Sequence, residues 1–187
     1  GLSDQRGRKR DREDDDREKD SSGETRFHWN CTPTPIVRPE PRPSHRIPTR
    51  VWEDRRNGNY NFDIYAQKYD SSGTPLGSNF KVNDNSKTSN QFSPAIAIDD
   101  SGTFVIAWSD SLNIYAQRYN SSGTPLGSNF KVNDDGTAER YHPAIAMDSS
   151  GDFVLTWTDK RNGNGDIYAQ RYNSSGSSLG SNFSVND

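Results

Sequence analysis

Three aspartates, Asp54, Asp110 and Asp159, each follow a tryptophan by two residues, and Asp63 and Asp166 lie a short loop beyond two of them. Paired carboxylates are the groups here best suited to acid–base work. Glycoside hydrolysis needs two such groups tuned apart within one cleft. These acids instead recur at matching places in successive repeats, as turn-stabilising residues do, so the pattern points away from an enzyme. The stretch 159–166, DKRNGNGD, offers oxygen at Asp159, Asn162, Asn164 and Asp166. That alternate spacing is one that hard Ca²⁺ sites use. Against it, Ile167 stands where such a loop wants glycine, no glutamate closes the loop, and the matching stretch 109–113 is only SDSLN. A tight hairpin accounts for the same residues.

Trp52, Trp108 and Trp157 occupy one repeat position and are the candidate ligand-binding side chains, because an indole exposed at a sheet edge stacks on a sugar ring. The architectural alternative is that each indole, with Tyr65, Tyr115 and Tyr168, packs between neighbouring sheets. His142 is the only histidine after residue 50, and its counterpart one repeat earlier is Ser93, so no Ser/His/Asp arrangement recurs around it. The single cysteine, Cys31, excludes an internal disulfide and a Cys-rich metal cage. A formal net charge of -3 lacks the basic footprint of a nucleic-acid binder. No glycine-rich loop leads into a helix, so no nucleotide or other cofactor is expected.

The elements that would position these groups are written as repeats. IYAQ stands at 64–67, 114–117 and 167–170, giving periods of about 50 residues, the range of propeller blades. SSGTPLGSNFKVND follows at 71–84 and 121–134, and SSGSSLGSNFSVND at 174–187. Each full repeat divides into four short extended runs. PAIAID or PAIAMD alternates alanine, leaving little bulk on one face, and 104–108 or 153–157 is apolar on both faces, as a doubly covered strand is. IYAQRY alternates two faces, and NFKVN reads as a short, half-polar edge. Asp99 and Asp148 head DDSG and DSSG turns, Asn120 to Gly123 repeats that chemistry, and Asn57-Gly58 and Asn162-Gly163 are hairpin dipeptides. No stretch keeps apolar residues at helical spacing over ten positions. The reading is all-β: an incomplete propeller-like array of about two and a half four-stranded blades, with 51–84 partial and 94–134 and 143–187 complete.

The stretch 51–84, VWEDRRNGNYNFDIYAQKYDSSGTPLGSNFKVND, resembles the tandem repeats of large bacterial secreted and cell-surface proteins, in which a Trp-Asp turn precedes DIYAQRYD and a glycine-containing hairpin. The resemblance covers 51–187. It implies an extracellular or cell-surface scaffold built of propeller-like sheets, with a structural or adhesive role and other blades, glycans or surface proteins as partners. A closed propeller has about four to eight blades, so the chain is expected to be a fragment of a longer array, to assemble from several copies, or to stack openly with exposed sheet edges.

The N-terminal 50 residues are of another kind. They hold six of the ten prolines and a mixed charge run, RGRKRDREDDDREKD, which buries too little apolar surface to offset its ordering entropy. Disorder is expected there. A second reading comes from codon degeneracy: 43–48, PSHRIP, shares a permissible codon string with PAIAS in the frame one nucleotide later, and PAIA stands at 94–97 and 143–146. The stretch 26–30, RFHWN, yields Asp-Ser-Thr-Gly by the same shift, so residues 24–48 read as an out-of-frame repeat. The coding DNA decides this: a shifted frame without repeat-like peptide removes the idea. Residues 1–20 show no signal peptide, and no run nears the roughly 20 apolar residues of a membrane span. Over the whole chain only 28% of residues are apolar and mean hydropathy is -1.09, too polar for one continuous core.

Overall fold

Alternating apolar side chains punctuated by Asp-Ser-Gly turns fold into eleven strands in three antiparallel sheets, with no helix among the described residues. The computed structural model describes residues 48–56, 62–84, 89–110 and 112–186. The first sheet joins β1 (Thr49–Asp54), β2 (Asp63–Lys68) and β3 (Phe80–Lys81). The second runs β4 (Phe92–Ile98), β5 (Phe104–Ser109), β6 (Ile114–Tyr119), β7 (Phe130–Lys131). The third repeats that order with β8 (Arg140–Met147), β9 (Phe153–Asp159), β10 (Asp166–Tyr172) and β11 (Phe183–Ser184). Each is a simple meander and none closes on itself. The readings placed on 1–47, with Cys31, and on Asn57-Gly58 lie outside the described residues.

Every sheet has two unlike faces because side chains alternate along a strand. In the second, the front carries Phe104, Ile106 and Trp108 of β5 opposite Tyr119, Gln117 and Tyr115 of β6. The back carries Val105 and Ala107 opposite Arg118 and Ala116. That front packs on Ile64, Ala66 and Val82 of the first sheet and its strand-end loop. The back of the second sheet meets Phe153, Leu155, Trp157 and Tyr172 of the third. Small side chains on each back make room for the rings of the next front, and the same fit recurs: Phe80 lies 5.5 Å from Tyr119, and Phe130 lies 5.5 Å from Tyr172. Each large side chain fully buried this way contributes about 1.5–3 kcal/mol. β5, buried along its whole length, therefore anchors both interfaces.

The turns bear the chemistry their sequence implies. Asp99 Oδ1 accepts from the amides of Ser101 and Thr103 at 2.8 and 2.9 Å, and Gly102 takes a φ of 85° that a side chain would resist. The expected fourth strand is shorter than its sequence suggests, two residues in each sheet, because the following Val-Asn-Asp leaves the ladder. The first strand is longer than PAIAID. It starts at Phe92 or Arg140 and carries an irregularity at Ser93 and at His142, both left-handed at φ 53° and 54°. The proline directly after each of them favours extended backbone at that position, so the left-handed φ runs against the local preference, and the kink re-aims the strand entry.

Candidate functional site

Asp159, the first candidate ligand, has a side chain with no exposed surface, and its oxygens are taken by donors. Oδ2 accepts from Arg161 Nη2 at 2.6 Å, Arg140 Nε at 2.8 Å and Trp157 Nε1 at 3.1 Å, and Oδ1 accepts from the Arg161 amide at 2.9 Å. Burial alone pushes this carboxyl up, but the hydrogen bonds from Arg161, Trp157 and Arg140 outweigh it and hold Asp159 well below the usual carboxylate range. Such a group is a fixed anion, not a proton carrier near neutral pH. Asp54 repeats the motif at the other end of the molecule, accepting from Trp52 Nε1 at 3.0 Å and from Arg56, whose hydrogen bond is the main cause of its low pKa. In both sheets the arginine caps a tyrosine face, Arg56 at 4.0 Å over Tyr65 and Arg161 at 3.9 Å over Tyr168.

The second sheet solves the same position differently. Asp110 turns back to accept from the amides of Leu112 and Asn113, and Trp108 Nε1 donates instead to Gln91 Oε1 at 2.7 Å. Gln91 is the positional counterpart of Arg140, so a neutral acceptor does in one sheet what a buried Arg–Asp pair does in the next.

The loop 159–166 folds on itself as a hairpin. Asp159 pairs with Asp166 across the strands, Gly163 takes a φ of 91°, and Asn162 turns its amide nitrogen to Asp166 Oδ2 at 3.1 Å and to the Tyr168 hydroxyl at 3.3 Å. Asn164 is exposed. The Asp159 oxygens thus face the two arginines, the Trp157 indole and the Arg161 amide, and a cation in the loop would have to displace them. Among the described residues no group of three or more His, Cys, Asp and Glu side chains is placed to hold a metal.

Of the three candidate tryptophans, Trp108 and Trp157 are buried in the two inter-sheet cores and only Trp52, half-buried on the front of the first sheet, has surface to offer. Two matching grooves do open between sheets. One, of about 680 Å³, is lined by Lys81, Asp84, Gln117, Tyr119, Pro125 and Asn129. The other, of about 470 Å³, has Lys131, Asp134, Gln170, Tyr172, Ser178 and Asn182 at the matching places. Their amides bond each other: Asn129 Nδ2 donates to Gln117 Oε1, and Asn182 Nδ2 to Gln170 Oε1. Burial raises the phenols in both grooves, that of Tyr119 beyond the usual range with help from Asp84, and that of Tyr172 to about 12, so both stay neutral. His142 and Ser93 border a separate hollow with Glu53, Ser109 and Glu139, where the Ser93 amide donates to Glu53 at 2.7 Å. His142 makes only an edge contact with Tyr141, so no Ser–His–Asp relay forms among the described residues.

Sequence reasoning missed the residues that do most of the polar work. In each sheet the asparagine of Val-Asn-Asp accepts from the isoleucine amide of IYAQ: Asn83 from Ile64 at 2.8 Å, Asn133 from Ile114 at 2.7 Å, Asn186 from Ile167 at 2.5 Å. The glutamine of IYAQ donates to the carbonyl of the next strand residue and to a carbonyl of the following loop, as Gln117 does to Arg118 and Gly127. Identical recurrence of these amides was the available signal. Arg140 had none, because the segment before it does not repeat. A scan of protein-family models finds none that matches this chain, and a search of curated proteins finds no match either.

Proposed function

We propose that this chain is a non-catalytic architectural module, a propeller-like segment of stacked sheets serving a structural or adhesive role in an exported bacterial surface protein. The carrying observation is where the thrice-repeated polar and aromatic side chains go. Asn83, Asn133 and Asn186 satisfy backbone amides, the IYAQ glutamines satisfy strand and loop carbonyls, and Trp108 and Trp157 fill the spaces between sheets. Chemistry selected at a site concentrates unlike groups in one cleft, whereas here like groups are spread evenly along a stack. The resemblance of 51–187 to secreted repeats supports the location. The direct test adds one more copy of residues 85–134 after residue 187. An array stabilised by nearest-neighbour interfaces gains a higher denaturant midpoint and a steeper transition, and an unchanged midpoint refutes the reading.

A lectin-like reading is favoured by one observation, the pair of equivalent polar grooves with a tyrosine and two amides each. A glycan array separates the two. Binding that disappears in a folded Asn129→Leu, Asn182→Leu variant establishes the lectin, and an array without hits leaves the scaffold.

A further inference from the structure

The two ends of the stack are unlike in a way that matches them to each other. The back of the third sheet presents Val154, Ile167, Phe183 and Val185, the last two 44% and 56% exposed. No sheet covers this back, nor the front of the first sheet, among the described residues; on that front Tyr65 and Gln67 are already buried, and the part left open is the end at the half-buried Tyr69 and the Gly73 turn. We infer that the back of the third sheet docks the front of the first sheet of a second copy of this chain, repeating the contact already made twice inside each copy.

Three positional equivalences carry this. Phe183 holds the place of Phe80 and Phe130, which meet Tyr119 and Tyr172 of the next sheet; the corresponding tyrosine on the first sheet is Tyr69. Arg171 holds the place of Lys68 and Arg118. Lys68 Nζ donates to the Ser121 carbonyl at 2.6 Å, and Arg118 donates to the carbonyls of Ser174 and Ser175, whereas Arg171 is exposed and makes no side-chain hydrogen bond among the described residues. The receiving turn shows the mirror of this gap. A Cβ on Gly123 would lie 3.1 Å from Lys68 and one on Gly176 would lie 2.8 Å from Arg118, but around Gly73, in the same turn of the first sheet, nothing lies within 4 Å. That opening is where a partner's Arg171 fits. Pro48 and Arg50 stand where the later sheets have Phe and Ile or Leu, so the new contact uses the outer half of the interior interface and is weaker. It is head-to-tail, hence a heterologous contact. Two copies bring six sheets together, within the range that closes a ring.

The inference rests on the front-to-back stacking of the proposed function. Sedimentation of the full chain tests it with two variants, Tyr69→Asp on the head and Phe183→Asp with Val185→Asp on the tail, and circular dichroism checks that each is folded. Concentration-dependent association of the wild type, loss of it in each variant alone, and a 1:1 dimer on mixing them establish the head-to-tail contact. Arg171→Glu, an exposed change that leaves the core alone, weakens association at least tenfold. A wild type that stays monomeric to its solubility limit overturns the inference, as does a Tyr69→Asp protein that still pairs with itself, since that reports a tail-to-tail contact. Slow amide exchange in β5 in such a monomer leaves internal stacking intact, whereas fast exchange there removes both readings.

Discussion

Ile114, Phe130 and Val132 in the second sheet hold the places that Ile167, Phe183 and Val185 hold in the third. Ile114 and Val132 are 0% and 4% exposed, while Ile167 is 36% exposed. Local structure does not differ: the amide of Val132 donates to the Ile114 carbonyl at 2.8 Å, and that of Val185 to the Ile167 carbonyl at 2.7 Å. What differs is the neighbour. The side chains are chosen for an interface, and their burial is a property of the pair of sheets and not of either one alone.

The sharpest way to break that comparison is at the Trp-Asp position, which also exists covered and uncovered. Asp159→Ala leaves the buried Arg140 guanidinium with only the exposed Asp134 at 4.0 Å for an anion, a loss of about 3–5 kcal/mol. Asp54→Ala removes the same carboxylate where it is partly exposed and its arginine lies in solvent, and moves the urea midpoint far less; equal losses would mean that covering is irrelevant. A second pair tests the apolar face. Ile114→Ala costs about 2–5 kcal/mol through transfer and cavity, and Ile167→Ala in dilute solution costs roughly 0.5 kcal/mol, both by urea titration.

Which parts of this were legible in the sequence follows from what repeats. The all-β class, the strand runs and the Asp-headed turns were readable because alternation and turn chemistry are local. The face-to-face packing that buries Trp108 was one of two readings, since a single strand cannot say whether a sheet lies over it. Arg140 was invisible for a stricter reason: its role is fixed by Asp159, 19 residues away, and by the Leu112 carbonyl of the neighbouring sheet, which it reaches at 3.0 Å. The left-handed Ser93 and His142 were equally hidden, because the residue before a proline prefers extended backbone.

Acid sharpens the comparison further. The folded-state pKa of Asp159 lies below its ordinary 3.8, so the carboxylate contributes stability that is present above that value and is lost as pH falls toward the folded one. Unfolding free energy is expected to be flat from neutral pH to about 5 and to drop below about 4, with a shallower drop in Asp159→Asn. An identical slope in the variant would contradict the assignment. The smallest effect is expected from Ca²⁺. With Asp159 engaged by two arginines, added Ca²⁺ should leave Tm unchanged, and a Tm that climbs with its concentration would show that native-state binding has reclaimed the loop.

Hydrogen exchange followed by mass spectrometry tests front-to-back stacking most directly. β5, enclosed by both neighbours, should exchange slowest of all strands, with β10 and β11 on the uncovered face markedly faster. Exchange in β5 as fast as in β11 would contradict the stack.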